Sequence, residues 1–297
     1  MKSLSVIKVL GIGLVMSGLL ACEKDADQIE IQTQMAEDEA IAEAYFSQVI
    51  YEANNAWATN IPSEGVEPGV NVESETTITQ QTGAPVTSGE RIVTIRRITG
   101  QSPHPGYPLE VTINFRNWQV GQGPVSNGTI IIIVTGPLHL HGTSITITSQ
   151  NFNIDGNVVQ GTKTITNVNG LTFNITLVGG KITFTDGTTI TRELTRTWTW
   201  AGGIGTPNFI WDDEFSITGT TAGTNRRDAA YSLAITKPLI HKMSCLWLVE
   251  GTVSIQHGEN AMVLDYGNGT CDNLATIIFN GETREITLPR TPPARKR

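Results

Sequence analysis

The sequence predicts a mainly β protein: an antiparallel meander of about a dozen strands, folded as a sandwich or a strongly curved sheet, preceded by one amphipathic helix. Three observations carry this. Thr, Gly, Ile and Val are abundant, which is a sheet composition. From residue 90 onward apolar residues recur with period two. The separators are hairpin material: Asp155-Gly156-Asn157, Gly179-Gly180, Asp186-Gly187 and Asn280-Gly281.

The chain opens with Lys2 and Lys8, no acid, and an apolar run from Val9 through Leu20 broken by Gly11, Gly13 and Gly18. A membrane span needs about 20 apolar residues. A basic start, a short apolar core and a small-residue exit instead make residues 1–21 a secretory signal. The exit, Leu19-Leu20-Ala21-Cys22, resembles the lipobox of bacterial lipoproteins. That resemblance implies cleavage before Cys22, a diacylglyceryl thioether on its sulfur and an acylated new N-terminus. Two or more acyl chains hold a protein stably on a bilayer where one does not. The alternative is an ordinary signal, or an N-terminal anchor, with a chance cysteine.

Residues 22–28 form an acidic tether. Glu23-Lys-Asp-Ala-Asp27 resembles the signal that sends some Bacteroidota lipoproteins to the outer face of the outer membrane; a solvated acidic linker is the other reading. Residues 29–58 predict the helix. Ile41, Tyr45, Val49 and Ala53 are spaced i, i+4, with Phe46, Ile50 and Trp57 beside them. Glu37, Asp38, Glu43 and Glu52 fall mostly around the other side. The apolar face must dock on something, most simply the β body; a binding partner is the other reading. Pro62, Pro68 and Gly69 end the helix and open a loop over 59–89.

The β domain occupies 90–289. Leu109, Val111, Ile113 and Phe115 share one face, as do Leu171, Phe173, Ile175 and Leu177, then Ile190, Leu194, Trp198 and Trp200, then Cys245, Trp247, Val249, Val253 and Ile255. The unbroken run Ile130 to Val134 predicts a strand covered on both sides. Between Ile147 and Phe152 the apolar phase changes, which predicts a β-bulge near Ser149. Val111–Phe115 with Asn127–Ile131 echoes Met262–Tyr266 with Leu274–Ile278, raising two related halves.

The formal charge is -8. The acids concentrate in residues 23–52, and the body is close to neutral. No basic stripe with interleaved aromatics is present, which argues against nucleic acid as a partner. The basic tail over 290–297 reads as a solvated end. With Cys22 lipidated, Cys245 and Cys271 remain as an even pair in an oxidising compartment, which predicts a disulfide; two buried free thiols are the alternative.

The C-terminal region is the most distinctive. Leu264-Asp-Tyr-Gly-Asn-Gly-Thr-Cys-Asp-Asn273, Phe279-Asn-Gly281, Trp211-Asp-Asp-Glu-Phe215 and Gly161-Thr-Lys-Thr-Ile165 together resemble a group of Bacteroidota cell-envelope lipoproteins with a β-rich body and no assigned activity. The resemblance implies compartment and fold, not chemistry.

Candidate chemistry is sparse. His139 and His141 lie two apart, so a strand would put them on one face as the start of a metal site, but no third ligand comes with announcing spacing. Asp212 and Asp213 are candidate carboxylates for acid–base or glycoside chemistry; turn residues are the plainer reading. Asp265 to Asp272 suggests a calcium loop but departs from the EF-hand pattern. Trp198 and Trp200 suit either sugar stacking or the core. The sequence therefore points to a lipid-anchored outer-membrane protein, facing the cell surface or the periplasm. Its β domain has a structural or ligand-binding duty, no cofactor, and the membrane as partner through Cys22. A carbohydrate or another envelope protein is a candidate further partner. The alternatives are a carbohydrate-active enzyme using envelope-facing carboxylates and a carrier of an apolar ligand.

Overall fold

A computed structural model describes residues 19–60, 71–76, 87–99, 102, 104–121, 123–137, 140–206, 210–245 and 247–288. Helix α1 spans Leu19–Asn60. Fourteen strands follow: β1 Asn71–Thr76, β2 Thr87–Arg97, β3 Leu109–Val120, β4 Ser126–Val134, β5 Ser144–Ile154, β6 Asn157–Asn167 and β7 Thr172–Thr183, then β8 Thr189–Gly202, β9 Glu214–Thr224, β10 Ala230–Lys242, β11 Leu248–His257, β12 Asn260–Asn268, β13 Leu274–Phe279 and β14 Glu282–Thr287. They form one sheet in strict chain order, each strand antiparallel to the next, and the sheet is not closed. Of the two expected arrangements, the curved single sheet is the one observed.

Two contacts show how strongly it curves. Thr33 accepts a hydrogen bond from Arg284 on β14, and Glu52 pairs with Arg91 on β2. Nineteen helical residues rise about 28 Å. Twelve strand spacings in a flat sheet would span about 58 Å. The sheet therefore curls around α1 until both flanks reach it. Its inner face forms two apolar clusters. One gathers Tyr45, Phe46 and Val49 with side chains of β2–β8; the other gathers Met35, Ala36 and Ala40 with side chains of β9–β14. Trp198 packs against both.

The expected apolar face docks on the sheet, and the curl carries the sheet round to the acidic side as well. Asp38 and Glu52 are buried, and Glu43 is half-buried against cationic side chains. Period-3.6 patterning identifies an apolar stripe, but it cannot exclude a second buried face whose acids find counter-ions.

Two strand details follow from local sequence. The bulge lies at Asn151, which takes a left-handed φ of 48°, and burial shifts from Ile145 and Ile147 to Phe152 and Ile154 across it. Opposite it stands Gly128, where a Cβ would come within 2.2 Å of the Asn151 carbonyl oxygen, so only glycine fits. Strand β4 is not covered on both sides. Ile130, Ile132 and Val134 are buried, while Ile131 and Ile133 are half-buried on the outer face beside Thr112, Thr148, Glu110 and Thr146. A single curved layer has no second sheet to cover that face.

The expected signal segment to residue 18, most of the 59–89 loop, His139 and the 290–297 tail lie outside the described residues.

Candidate functional site

The inner face of β8 reads Ile190, Arg192, Leu194, Arg196, Trp198 and Trp200, because alternate residues of a strand share a face. Arg192 is 0 % exposed and the largest fully buried side chain. Its Nη2 lies 2.6 Å from Glu39 Oε1 and 2.7 Å from Glu43 Oε2. Arg196 Nη1 adds a 2.9 Å contact to Glu43, and the Tyr231 hydroxyl donates to Glu39 at 2.8 Å. Cross-strand register places Lys163 level with Leu177 and Leu194, between the two arginines. Burial pushes the Glu43 carboxyl up, but the guanidiniums of Arg196 and Arg192 outweigh it and hold it well below the usual carboxylate range. Burial lowers Lys163 to about 7, with Glu43 opposing and the two arginines adding to the fall. Farther along α1, burial pushes Glu52 up to about 7 against the opposing charge of Arg91. This seam locks the helix in register with the sheet and is consumed in doing so.

The same inner face ends in a rim of aromatic rings. Trp198 lies 5.6 Å from Phe215 and 5.9 Å from His241, centroid to centroid, and Trp200 stacks on Phe215 at 6.4 Å. Beyond Trp200 the chain turns at Gly203 and returns through a 3₁₀ turn at Ile210–Asp212. Gly203 has φ +79°, and a Cβ there would meet Asp213 Oδ1 at 2.4 Å. That close approach lets buried Asp213 accept the indole N–H of Trp200 at 3.1 Å. Burial raises the Asp213 carboxyl above its ordinary value. Exposed Asp212 accepts the Thr206 hydroxyl at 2.6 Å. The structure thus brings the two candidate carboxylates beside the two candidate tryptophans, with Asp213 positioning a ring. Comparison with known protein families, curated proteins and solved structures finds no match to this chain.

Cys245 and Cys271 are joined, with Cα atoms 5.7 Å apart and a sequence separation of 26. The bridge ties the β10–β11 turn to the β12–β13 loop on this same rim. There the Met243 amide donates to the Asp213 carbonyl and Lys242 Nζ donates to the Gly269 carbonyl. We expect reduction to destabilise the fold by about 3 kcal/mol, read as a shift in the denaturation midpoint with and without reductant. An unchanged midpoint would show that the bridge constrains nothing.

The remaining candidates are not brought together. His141 is exposed, its ring hydrogen-bonded to the Val168 carbonyl, and its expected partner His139 lies outside the described residues. Among the described residues no three His, Cys, Asp or Glu side chains gather as a metal set. Asp265 and Asp272 accept the backbone N–H groups of Gly267 and Leu274, so the suspected calcium loop spends these oxygens on its own turns. Cys22 falls at the start of α1.

The seam escaped the sequence reading, although a signal was present. Arg192 and Arg196 stand between apolar residues on a period-two buried face, which demands counter-charges, and the acids of 37–52 are the richest source.

Proposed function

We propose that the chain is a lipid-anchored envelope protein of Bacteroidota type, held on the outer membrane through Cys22, with a non-catalytic ligand-binding or structural β domain. The observation that carries the non-catalytic part is the engagement of its candidate chemistry. A hydrolase of the glycosidase kind needs two carboxylates about 5–10 Å apart across a cleft. Asp212 and Asp213 are consecutive, and each holds part of its own rim. An apolar carrier needs an open inner face, and α1 fills this one through ion pairs and apolar packing. The anchor is supported by the Leu19-Leu20-Ala21-Cys22 exit and the acidic tether after it. Among the described residues no helix is long and apolar enough to cross a membrane.

The test is replacement of Cys22. We expect the wild-type chain to sediment with outer membranes and Cys22→Ser to accumulate unprocessed and unacylated. A Cys22→Ser chain that is still processed and remains with the outer membrane would refute the anchor. Protease shaving of intact cells then assigns the face: cleavage before lysis marks the surface.

A further inference from the structure

We propose that the outer face of β7–β11 carries a groove for an uncharged polysaccharide chain lying across the strands, with the hydroxyls of Thr176, Thr195 and Thr220 as its hydrogen-bonding ladder. The claim rests on the ligand-binding reading above and deepens it.

The groove follows from register. Leu177, Leu194, Leu233 and Ile255 are buried on the inner face, so their strand neighbours point outward. Cross-strand pairing aligns these outward residues in two adjacent rows. One runs Thr176, Thr195, Thr220, Ala234, Ser254. The other runs Glu193, Ala222, Ser232, Gln256. Together they line an open depression of about 530 Å³. Side-chain length shapes it. Ala222, Ser232 and Ala234 leave the middle low, while Glu193 and Val178, the latter 62 % exposed, stand at one end and Gln256 at the other.

The hydroxyls in this groove are uncommitted. Elsewhere on the sheet, threonines on neighbouring strands bond each other: Thr148 with Thr162 at 3.3 Å, Thr191 with Thr224 at 2.8 Å and Thr236 with Thr252 at 2.8 Å. Thr176, Thr195 and Thr220 stand level on three successive strands, yet among the described residues their hydroxyls have no such partner. The one charged side chain of the lining, Glu193, gives its Oε1 to the Gly179 N–H at 2.7 Å.

These features select the occupant. The lining holds no Lys or Arg, so nucleic acid and anionic bilayers find no counter-charge. A protein partner is disfavoured by size, since the lining falls well short of the ~20–30 residues a side of a stable interface. An extended peptide adds to a sheet edge, and β7–β11 are interior strands paired on both sides. A compact apolar ligand needs more enclosure than this open depression gives. A saccharide fits on both counts. Its hydroxyls donate and accept as those of threonine do, and its C–H groups pack on Val178, Ala222 and Ala234. The ladder repeats at the strand spacing of about 4.8 Å, and an extended chain of pyranose rings advances by about one such step per ring.

The test is native affinity electrophoresis of the purified full chain through gels containing a β-glucan, an α-glucan, a xylan, a mannan or, as the charged counterpart, polygalacturonate. We expect retardation by at least one neutral polysaccharide and none by polygalacturonate. Thr195→Val with Thr220→Val removes two hydroxyls and keeps the shape, and should weaken binding about tenfold. Ala222→Ile with Ala234→Ile fills the floor with residues that strands favour, and should abolish it. Melting temperatures of both variants should stay at the wild-type value. No retardation in any neutral gel, retardation by polygalacturonate alone, or wild-type retardation of the filled variant would each overturn the proposal. Failure of the anchor is read separately, from Cys22→Ser fractionation.

Discussion

Arg192→Leu destabilises the protein by about 3–5 kcal/mol, the largest single-site effect we expect. The reason is what remains behind. Glu39 and Glu43 stay in an interior closed by α1 and the sheet, and of its two partners Glu39 keeps the Tyr231 hydroxyl alone. Removing one member of a buried ion cluster strands the other, and that penalty exceeds the value of the intact pair. The pair itself contributes far less. Arg192 Nε and Nη1 find no acceptor among the described residues, so the guanidinium is only partly compensated. Glu39→Leu combined with Arg192→Leu should therefore recover most of the lost stability, leaving Arg196 to pair with Glu43. Urea denaturation of the two single variants and the double variant checks this as a thermodynamic cycle. If the double variant falls by the sum of the singles, the two charges act independently and the seam is not a unit.

Between pH 4.5 and about 7 stability falls as pH rises, and between about 7 and 10.5 it rises again, on account of two buried groups. Glu52 is raised from 4.5 to about 7 by burial. In that window the folded chain holds a proton that the unfolded chain has released, so stability present below pH 4.5 is lost as pH passes through 7. The size is about 3 kcal/mol at 1.36 kcal/mol per pKa unit. Lys163, lowered from 10.5 to about 7, works in the opposite sense. There the unfolded chain keeps a proton the folded chain has lost, so stability climbs as pH rises from 7 toward 10.5. Glu43, held low by its arginines, withdraws its own contribution only as pH drops below 4.5. Glu52→Gln should leave stability at pH 5 near wild type and flatten the descent toward 7. Lys163→Met should raise stability by a few kcal/mol at pH 6 and little at pH 10. Denaturation midpoints across pH 4–10 decide it. Variants displaced in parallel from wild type at every pH would show that neither group titrates in this range.

These effects arise at residues that a strand-by-strand reading passes over. Alternation in Leu109–Phe115 or Leu171–Leu177 assigns faces because a strand's side chains alternate whatever it packs against. The phase change was legible for the same local reason, within two residues of the bulge at Asn151, while the role of Gly128 opposite it came only with the strand pairing. The rim was half legible. Asp212, Asp213, Trp198 and Trp200 stood out by residue type, but only the Gly203 turn sets Asp213 against the Trp200 indole.

By itself the sequence determined the β meander, the position of its helix and the pairing of Cys245 with Cys271. Periodicity, turn chemistry and the cysteine count are local or compositional, and they carry that much without a partner in view. The tertiary structure alone decided that one sheet curls instead of two stacking, and that Asp38, Glu39 and Glu52 of α1 are buried. Curvature sums small twists over fourteen strands, and a buried charge depends on a counter-charge some 150 residues away, as Arg192 is from Glu39. Neither quantity exists in any window of the chain short enough to read.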